Sequence, residues 1–266
     1  MKYKNIKNAI MGFTTNRIKI LAYHSVYKYS RDLYEIDSDM FKLQMDILKE
    51  NDFDVITLEE ALGDIEGGTI KHKTIVITFD DAFNSLCEYA FPVLRGLSYP
   101  ATVFVPFDYI GKIDSFSYDH SRDDFKIMSL SEIESSKVDR ISYGSHTMTH
   151  SDLTDLNQLD LDRELFESKV ILNNEIGEKF SALAYPFGMF NDRIKKAVDN
   201  AGYDCAVCFG NVLSNSRYTE KFELKREKIL STTPVDEFKR KIDISQDFPR
   251  KVNSMISRKI YKMAAA

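Results

Sequence analysis

Thr74-Ile75-Val76-Ile77-Thr78-Phe79-Asp80-Asp81 is an apolar, β-branched run that stops abruptly at two carboxylates. Such a run reads as a buried strand. Neighbouring strand residues point to opposite faces, so one aspartate would face in and the other out. A turn at the strand end would bring both to one place. One of the pair could instead cap a helix beginning near Ala82, since Asp is a preferred N-cap.

Similar runs recur on either side. Residues 18–26, 54–56, 102–106, 140–144, 182–185, 204–209 and 224–229 are expected strands, and amphipathic helical patterns lie between them. Strands alternating with helices predict a parallel sheet with right-handed crossovers. Seven or so such units in 266 residues predict an α/β fold of the distorted (β/α) barrel type, with an open doubly wound sheet as the alternative. No linker or repeat divides the chain. The expected organisation is one domain over 1–266, with a core at about 18–230 and a C-terminal helical segment at about 231–266.

Hydrophobic residues make up 43% and charged residues 29%, the balance of a globular chain. A net charge of −5 argues against a nucleic-acid partner. The Lys and Arg gather at the ends, seven in residues 1–31 and five in 248–266, with no acid in either segment. Val252, Met255, Ile256 and Ile260 with Lys251, Arg258, Lys259 and Lys262 could lie on an anionic membrane as a basic amphipathic helix. Packing of that helix on the barrel is the preferred alternative. No secretory signal or membrane-spanning run is evident, so the expected location is cytoplasmic, with peripheral membrane contact as the variant. Three cysteines give no disulfide framework, and Cys205 and Cys208 read as small core residues of one strand.

In barrels of this kind chemistry sits at the C-terminal ends of strands, and the ionisable residues gather there. Ile141-Ser142-Tyr143-Gly144-Ser145 runs into His146-Thr147-Met148-Thr149-His150. If a helical turn starts here, the His-x-x-x-His spacing puts both imidazoles on one face, in a pattern suited to a zinc-like ion. Ala182-Leu183-Ala184 runs into Tyr185-Pro186-Phe187-Gly188, a rim aromatic platform with a backbone N–H that can face an oxyanion. Ile20-Leu21-Ala22-Tyr23 ends at His24. His72 and His120 fall in expected loops and read as surface residues.

Thr78-Phe79-Asp80-Asp81, then Ser145–His150, then Tyr185-Pro186-Phe187-Gly188, in that order, resemble the polysaccharide deacetylase family, also called the NodB-homology domain or carbohydrate esterase family four. The resemblance spans about residues 18–229. It implies a hydrolase that removes acetyl groups, N-acetyl first, from a saccharide with one divalent metal ion. Zinc is the first expectation, with nickel, cobalt or manganese as alternatives. Carried over residue by residue, Asp81, His146 and His150 are the metal ligands and Asp80 is the general base. The Tyr185 N–H, with Pro186 and Phe187 beside it, faces the oxyanion. No histidine follows His150, Ala184 stands where the family has an arginine, and there is no tryptophan. Tyr23-His24-Ser25-Val26 is similar to the N-terminal Tyr-His motif of a subgroup related to biofilm-polysaccharide deacetylases, which makes His24 the general acid. Arg226 is then left to orient Asp80.

An acetylated saccharide is thus the expected partner, and a location without export favours a biosynthetic intermediate. The alternative from another class is a non-catalytic carbohydrate-binding protein on the same scaffold. Retention of Asp80 beside the metal set argues against it. A two-carboxylate glycosidase is the third reading, and it leaves the histidines unexplained.

Overall fold

The structure, a computed structural model, describes residues 17–113, 125–210 and 214–243. In chain order the strands are β1 (Ile18–Tyr23), β2 (Ser25–Tyr27), β3 (Glu35–Asp37), β4 (Asp54–Val55), β5 (Thr74–Phe79), β6 (Ala101–Val105), β7 (Ile141–Ser145), β8 (Ala182–Ala184), β9 (Cys205–Phe209) and β10 (Leu224–Lys228). The expected first strand is therefore interrupted at His24, and the short pair β2–β3 was not anticipated.

All the pairings between these strands are parallel. β1 pairs with both β5 and β10, so β1, β5, β6, β7, β8, β9 and β10 close into a seven-stranded barrel. That closure excludes the open doubly wound sheet. β1 matches all of β5, from Ile18 opposite Thr74 to Tyr23 opposite Phe79. The other edge of β5 is shared, with Asp54 and Val55 of β4 on its first residues and Thr102 and Val103 of β6 on its last.

Period-two alternation sorts the side chains. Ile18 and Ile20, Val76, Phe104, Ala182 and Ala184, Cys205 and Val207, and Leu224 form one buried cluster, which Leu58, Ala61, Leu62 and Ile65 of the helix Leu58–Gly67 join. The opposite phase, with Leu21, Ile75, Ile77, Val103 and Tyr143, packs in a second cluster with residues of the surrounding helices such as Phe41, Met45, Phe91 and Leu94. Leu183, Ala206 and Cys208 meet Leu161, Leu165, Ile194 and Val198 in a third. Cys205 and Cys208 are both buried and fall in different clusters, as two core residues on opposite faces should.

Gly144 shows how tightly the inner layer is filled. A Cβ there would lie 2.5 and 2.6 Å from ring atoms of Phe104, so only glycine leaves room for that ring. After β5 the chain forms two short helices, Ser85–Tyr89 and Phe91–Leu97, with Pro92 in the first turn of the second. The helix Val235–Ile242 buries Phe238 and Ile242. The basic segment at 251–262 and His120 lie outside the described residues. No helix among the described residues is long and apolar enough to cross a membrane.

Candidate metal centre and active site

The inward phase of four barrel strands leads to an ionisable group, and that of β9 to an aromatic ring. Ile18 and Ile20 lead to His24, and Val76 and Thr78 to Asp80. Leu224 leads to Arg226 and Lys228, Gly144 to His146, and Cys205 and Val207 to Phe209. The register holds these ends level. The Asp80 N–H donates to the Tyr23 carbonyl at 2.9 Å, and the His146 N–H to the Val105 carbonyl at 2.9 Å.

Asp81 belongs to the outward phase, and backbone conformation redirects it. Asp81 and Ala82 have φ of 68° and 53°. Two successive left-handed residues turn the chain sharply, at a cost of about 1–3 kcal/mol each. Neither aspartate caps a helix, because the next helix starts at Ser85 with Asn84 as its N-cap.

His146 and His150 also converge without a helical turn. The next helix is Gln158–Asn174, and Thr147 and His150 are left-handed, at φ 67° and 58°. A buried carboxylate from that helix holds this strained loop. Glu164 accepts the Met148 N–H at 2.8 Å, the Thr149 N–H at 3.0 Å and the Thr149 hydroxyl at 2.6 Å.

The Nε2 atoms of His146 and His150 lie 3.5 and 3.4 Å from Asp81 Oδ1. One donor atom from each of the three residues falls within 4.8 Å of the others, and all three residues are buried. The donor chemistry fits a divalent cation. One carboxylate and two imidazoles form a three-ligand set that leaves coordination positions open. The His146 Nδ1 lies 2.8 Å from the Ala184 carbonyl, which sets the tautomer that turns Nε2 toward Asp81. Burial lowers both imidazoles, with His150 brought to about 2 by burial and by neighbouring His146. Neutral imidazoles are what a metal requires.

Asp80 lies beside this set, gripped by Arg226. Its Oδ1 and Oδ2 accept from Nη1 and Nη2 at 2.6 and 2.7 Å, and the two side chains are 3% and 0% exposed. Arg226 Nη1 also donates to the Thr78 hydroxyl at 3.2 Å. The guanidinium carbon lies 4.8 Å from the centroid of the Phe209 ring and 5.4 Å from that of Phe104. Burial alone would raise the Asp80 carboxyl. The Arg226 charge, then His146, overrides it and holds the group well below the usual carboxylate range. The expected orienting role of Arg226 has this geometry behind it.

His24 lines the same cleft, its ring 4.7 Å from that of Tyr34. Burial lowers it to about 4, against the pull of Asp80, so the resting imidazole is neutral near pH 7. The cleft has a volume of about 480 Å³. Phe187, half exposed beside His150, forms part of its rim.

Tyr185 does not reach the cleft. Its N–H donates to the Val207 carbonyl at 3.3 Å, its ring stacks on Phe190, and its hydroxyl donates to the Phe222 carbonyl at 3.0 Å. The amide expected at an oxyanion is spent on the barrel ladder. Phe187 is left-handed at φ 58°, and its N–H has no protein acceptor among the described residues. Pro186 is buried in the turn that presents it. His72 is exposed, as expected.

Sequence reasoning passed over Glu164 and Lys228. Glu164 sits among the acids of Asp160-Leu161-Asp162-Arg163-Glu164 with nothing to set it apart. Lys228 shares its phase with Leu224 and Arg226, but charges on the other phase, Lys225 and Glu227, hide which one turns inward.

A seven-stranded parallel barrel with a carboxylate–imidazole triad and an Arg-held aspartate at its C-terminal face has the donor set of an open, three-ligand metal site. Comparison with known proteins narrows this. The polysaccharide deacetylase family model matches residues 67–206, more than half of the chain, and the chain belongs to that family. A carbohydrate deacetylase, the enzyme class expected from the motifs, is the class that family names.

The Bacillus subtilis protein YxkH is 28% identical over 192 residues, covering 72% of this chain and 64% of its own length. The chain thus spans just under two thirds of that relative. The poly-beta-1,6-N-acetyl-D-glucosamine N-deacetylase of Staphylococcus epidermidis is 26% identical, covering 76% of this chain and 72% of the staphylococcal enzyme. Among solved structures, the Streptococcus pyogenes deacetylase PplD, in complex with acetate, superposes with a TM-score of 0.74 at 22% identity, over 86% of this chain and 99% of that one. A polysaccharide deacetylase from Bacillus cereus gives 0.71 at 26% identity, over 86% and 70%.

Proposed function

We propose that the chain is a metal-dependent deacetylase that removes N-acetyl groups from an N-acetylhexosamine-containing saccharide. The observation that carries the reading is the buried Asp81–His146–His150 set with the Arg226-held Asp80 beside it. The staphylococcal relative supports a β-1,6-linked N-acetylglucosamine polymer, or its precursor, as the first substrate to try.

A divalent cation held by Asp81, His146 and His150, zinc in the first place, would polarise the acetyl carbonyl and acidify water. Asp80 accepts the proton as water attacks, its two oxygens fixed by the guanidinium. The Phe187 N–H, in place of Tyr185, is the amide left to donate to the developing oxyanion. His24 returns a proton to the leaving nitrogen. A resting neutral imidazole can do so only after receiving the proton that the attacking water releases, so one proton couples the two steps.

Acetate release is the test, from N-acetylglucosamine oligomers, acetylated xylan and lipid-linked saccharides, with and without chelator. Chelator-sensitive release that Asp80→Asn abolishes while metal stays bound supports the reading. Metal bound by the wild type with no release from any acceptor favours a carbohydrate-binding protein. We also propose a cytoplasmic location, with membrane-surface contact through the basic C-terminal segment as the variant. Fractionation with a high-salt wash separates the two.

A further inference from the structure

Lys228 is the last inward-phase residue of β10, two positions beyond Arg226, and it lines the cleft. Its ammonium stands 4.4 Å from the centroid of the Phe209 ring and 5.6 Å from that of Tyr34. Those aromatic faces hold a cation without neutralising it.

The carboxylates lining the cleft are otherwise engaged. Asp80 is bound at both oxygens by Arg226. Asp81 faces the two metal-site imidazoles. Asp32 at the mouth turns Oδ1 back to its own loop, accepting the Tyr34 and Glu35 N–H groups at 2.7 and 3.0 Å. Lys228 pairs with no carboxylate among the described residues. It is half-buried, and burial lowers its pKa against the pull of Asp80, with Arg226 adding to the lowering. A partly desolvated positive charge is thus left facing the space a substrate would fill, where an incoming anion recovers the lost solvation.

We propose that Lys228 makes this cleft selective for a saccharide with an anionic group, a carboxylate or a phosphate, on or beside the acetylated sugar. The inference deepens the deacetylase reading and rests on it for the saccharide. It also gives Lys228 a second effect. Deacetylation turns a neutral amide into an ammonium, which Lys228 repels, so the product leaves the site that the substrate entered.

The test is binding, by calorimetry on the metal-loaded full chain. The ligands are a neutral N-acetylglucosamine oligomer, the same oligomer phosphorylated on one sugar, and one with a uronic acid beside the acetylated sugar. An anionic ligand should bind on the order of tenfold more tightly than the neutral parent. Preference for the uronate alone or the phosphate alone supports the proposal and identifies the source. Lys228→Gln should remove the preference and Lys228→Arg keep it. If the Gln variant does not fold, the wild-type preference should still shrink as salt is raised. Equal binding of all three ligands, or a preference that survives Lys228→Gln, overturns the proposal. Acetate release on the same panel separates the two readings. Release without preference refutes this inference alone, and preference without release refutes the deacetylase reading alone.

Discussion

Removing the guanidinium from Asp80 is a sharp test of the site's construction. Arg226→Met keeps most of the side-chain volume and leaves a buried carboxylate alone. Two charge-assisted hydrogen bonds, at 2.6 and 2.7 Å, are lost from side chains that are 0% and 3% exposed. Breaking a buried pair from one side costs about 3–5 kcal/mol. Protonation of the orphaned carboxyl at neutral pH limits the electrostatic part to about 4 kcal/mol. The expected loss is therefore about 3–4 kcal/mol, or roughly 6–16 °C in Tm for a domain of this size. Urea denaturation followed by circular dichroism measures it. The discriminating partner is the double variant Asp80→Asn/Arg226→Met, which removes the stranded charge and should recover roughly half of the loss. A single-variant cost below about 1 kcal/mol, the level of a surface pair, would refute the reasoning. So would a double variant no more stable than Arg226→Met.

Three further outcomes follow from the geometry. Glu164→Leu removes the oxygen that the Met148 and Thr149 amides share as their acceptor, so zinc affinity should fall about tenfold or more, as for other groups that orient metal ligands. An unchanged zinc titration would remove Glu164 from the site. His24 is lowered to about 4, so its neutral form stabilises the fold above the unfolded value of about 6.5 and that contribution is lost as pH falls toward 4. Between pH 7 and 5 the metal-free wild type should lose roughly 2 kcal/mol more than His24→Gln, and parallel stability curves would contradict this. Gly144→Ala should cost about 1–3 kcal/mol through overpacking against Phe104, and Phe104→Leu in the same chain should restore part of it. No recovery on thermal melting would mean that Phe104 is not what the added methyl strikes.

The barrel and most of the site were legible because both depend on one local signal, an apolar run that changes to ionisable residues at the strand end. Asp80, Asp81, His146, His150 and His24 all carry it. Arg226 and Lys228 were harder. In Leu224-Lys225-Arg226-Glu227-Lys228 both faces are charged, so alternation alone does not show which phase turns inward. The left-handed turn at Asp81 and Ala82 was not readable, because such turns usually announce themselves with glycine. The role of the Tyr185 amide depends on a ladder bond to Val207, far along the chain, and no local pattern encodes it.

The pairing of β1 with both β5 and β10 also bears on synthesis. β1 and β5 can meet as soon as both have emerged, yet the barrel stays open until the last of its strands arrives. That strand carries Arg226. Until then Asp80 belongs to an unfinished wall with no counter-charge, and contacts made across such a sequence distance form slowly. The chain therefore acquires its buried ion pair and its finished architecture in a single event. A ribosome-stalled or C-terminally clipped copy ending before Leu224 would have neither, and would be readily recognised by proteases.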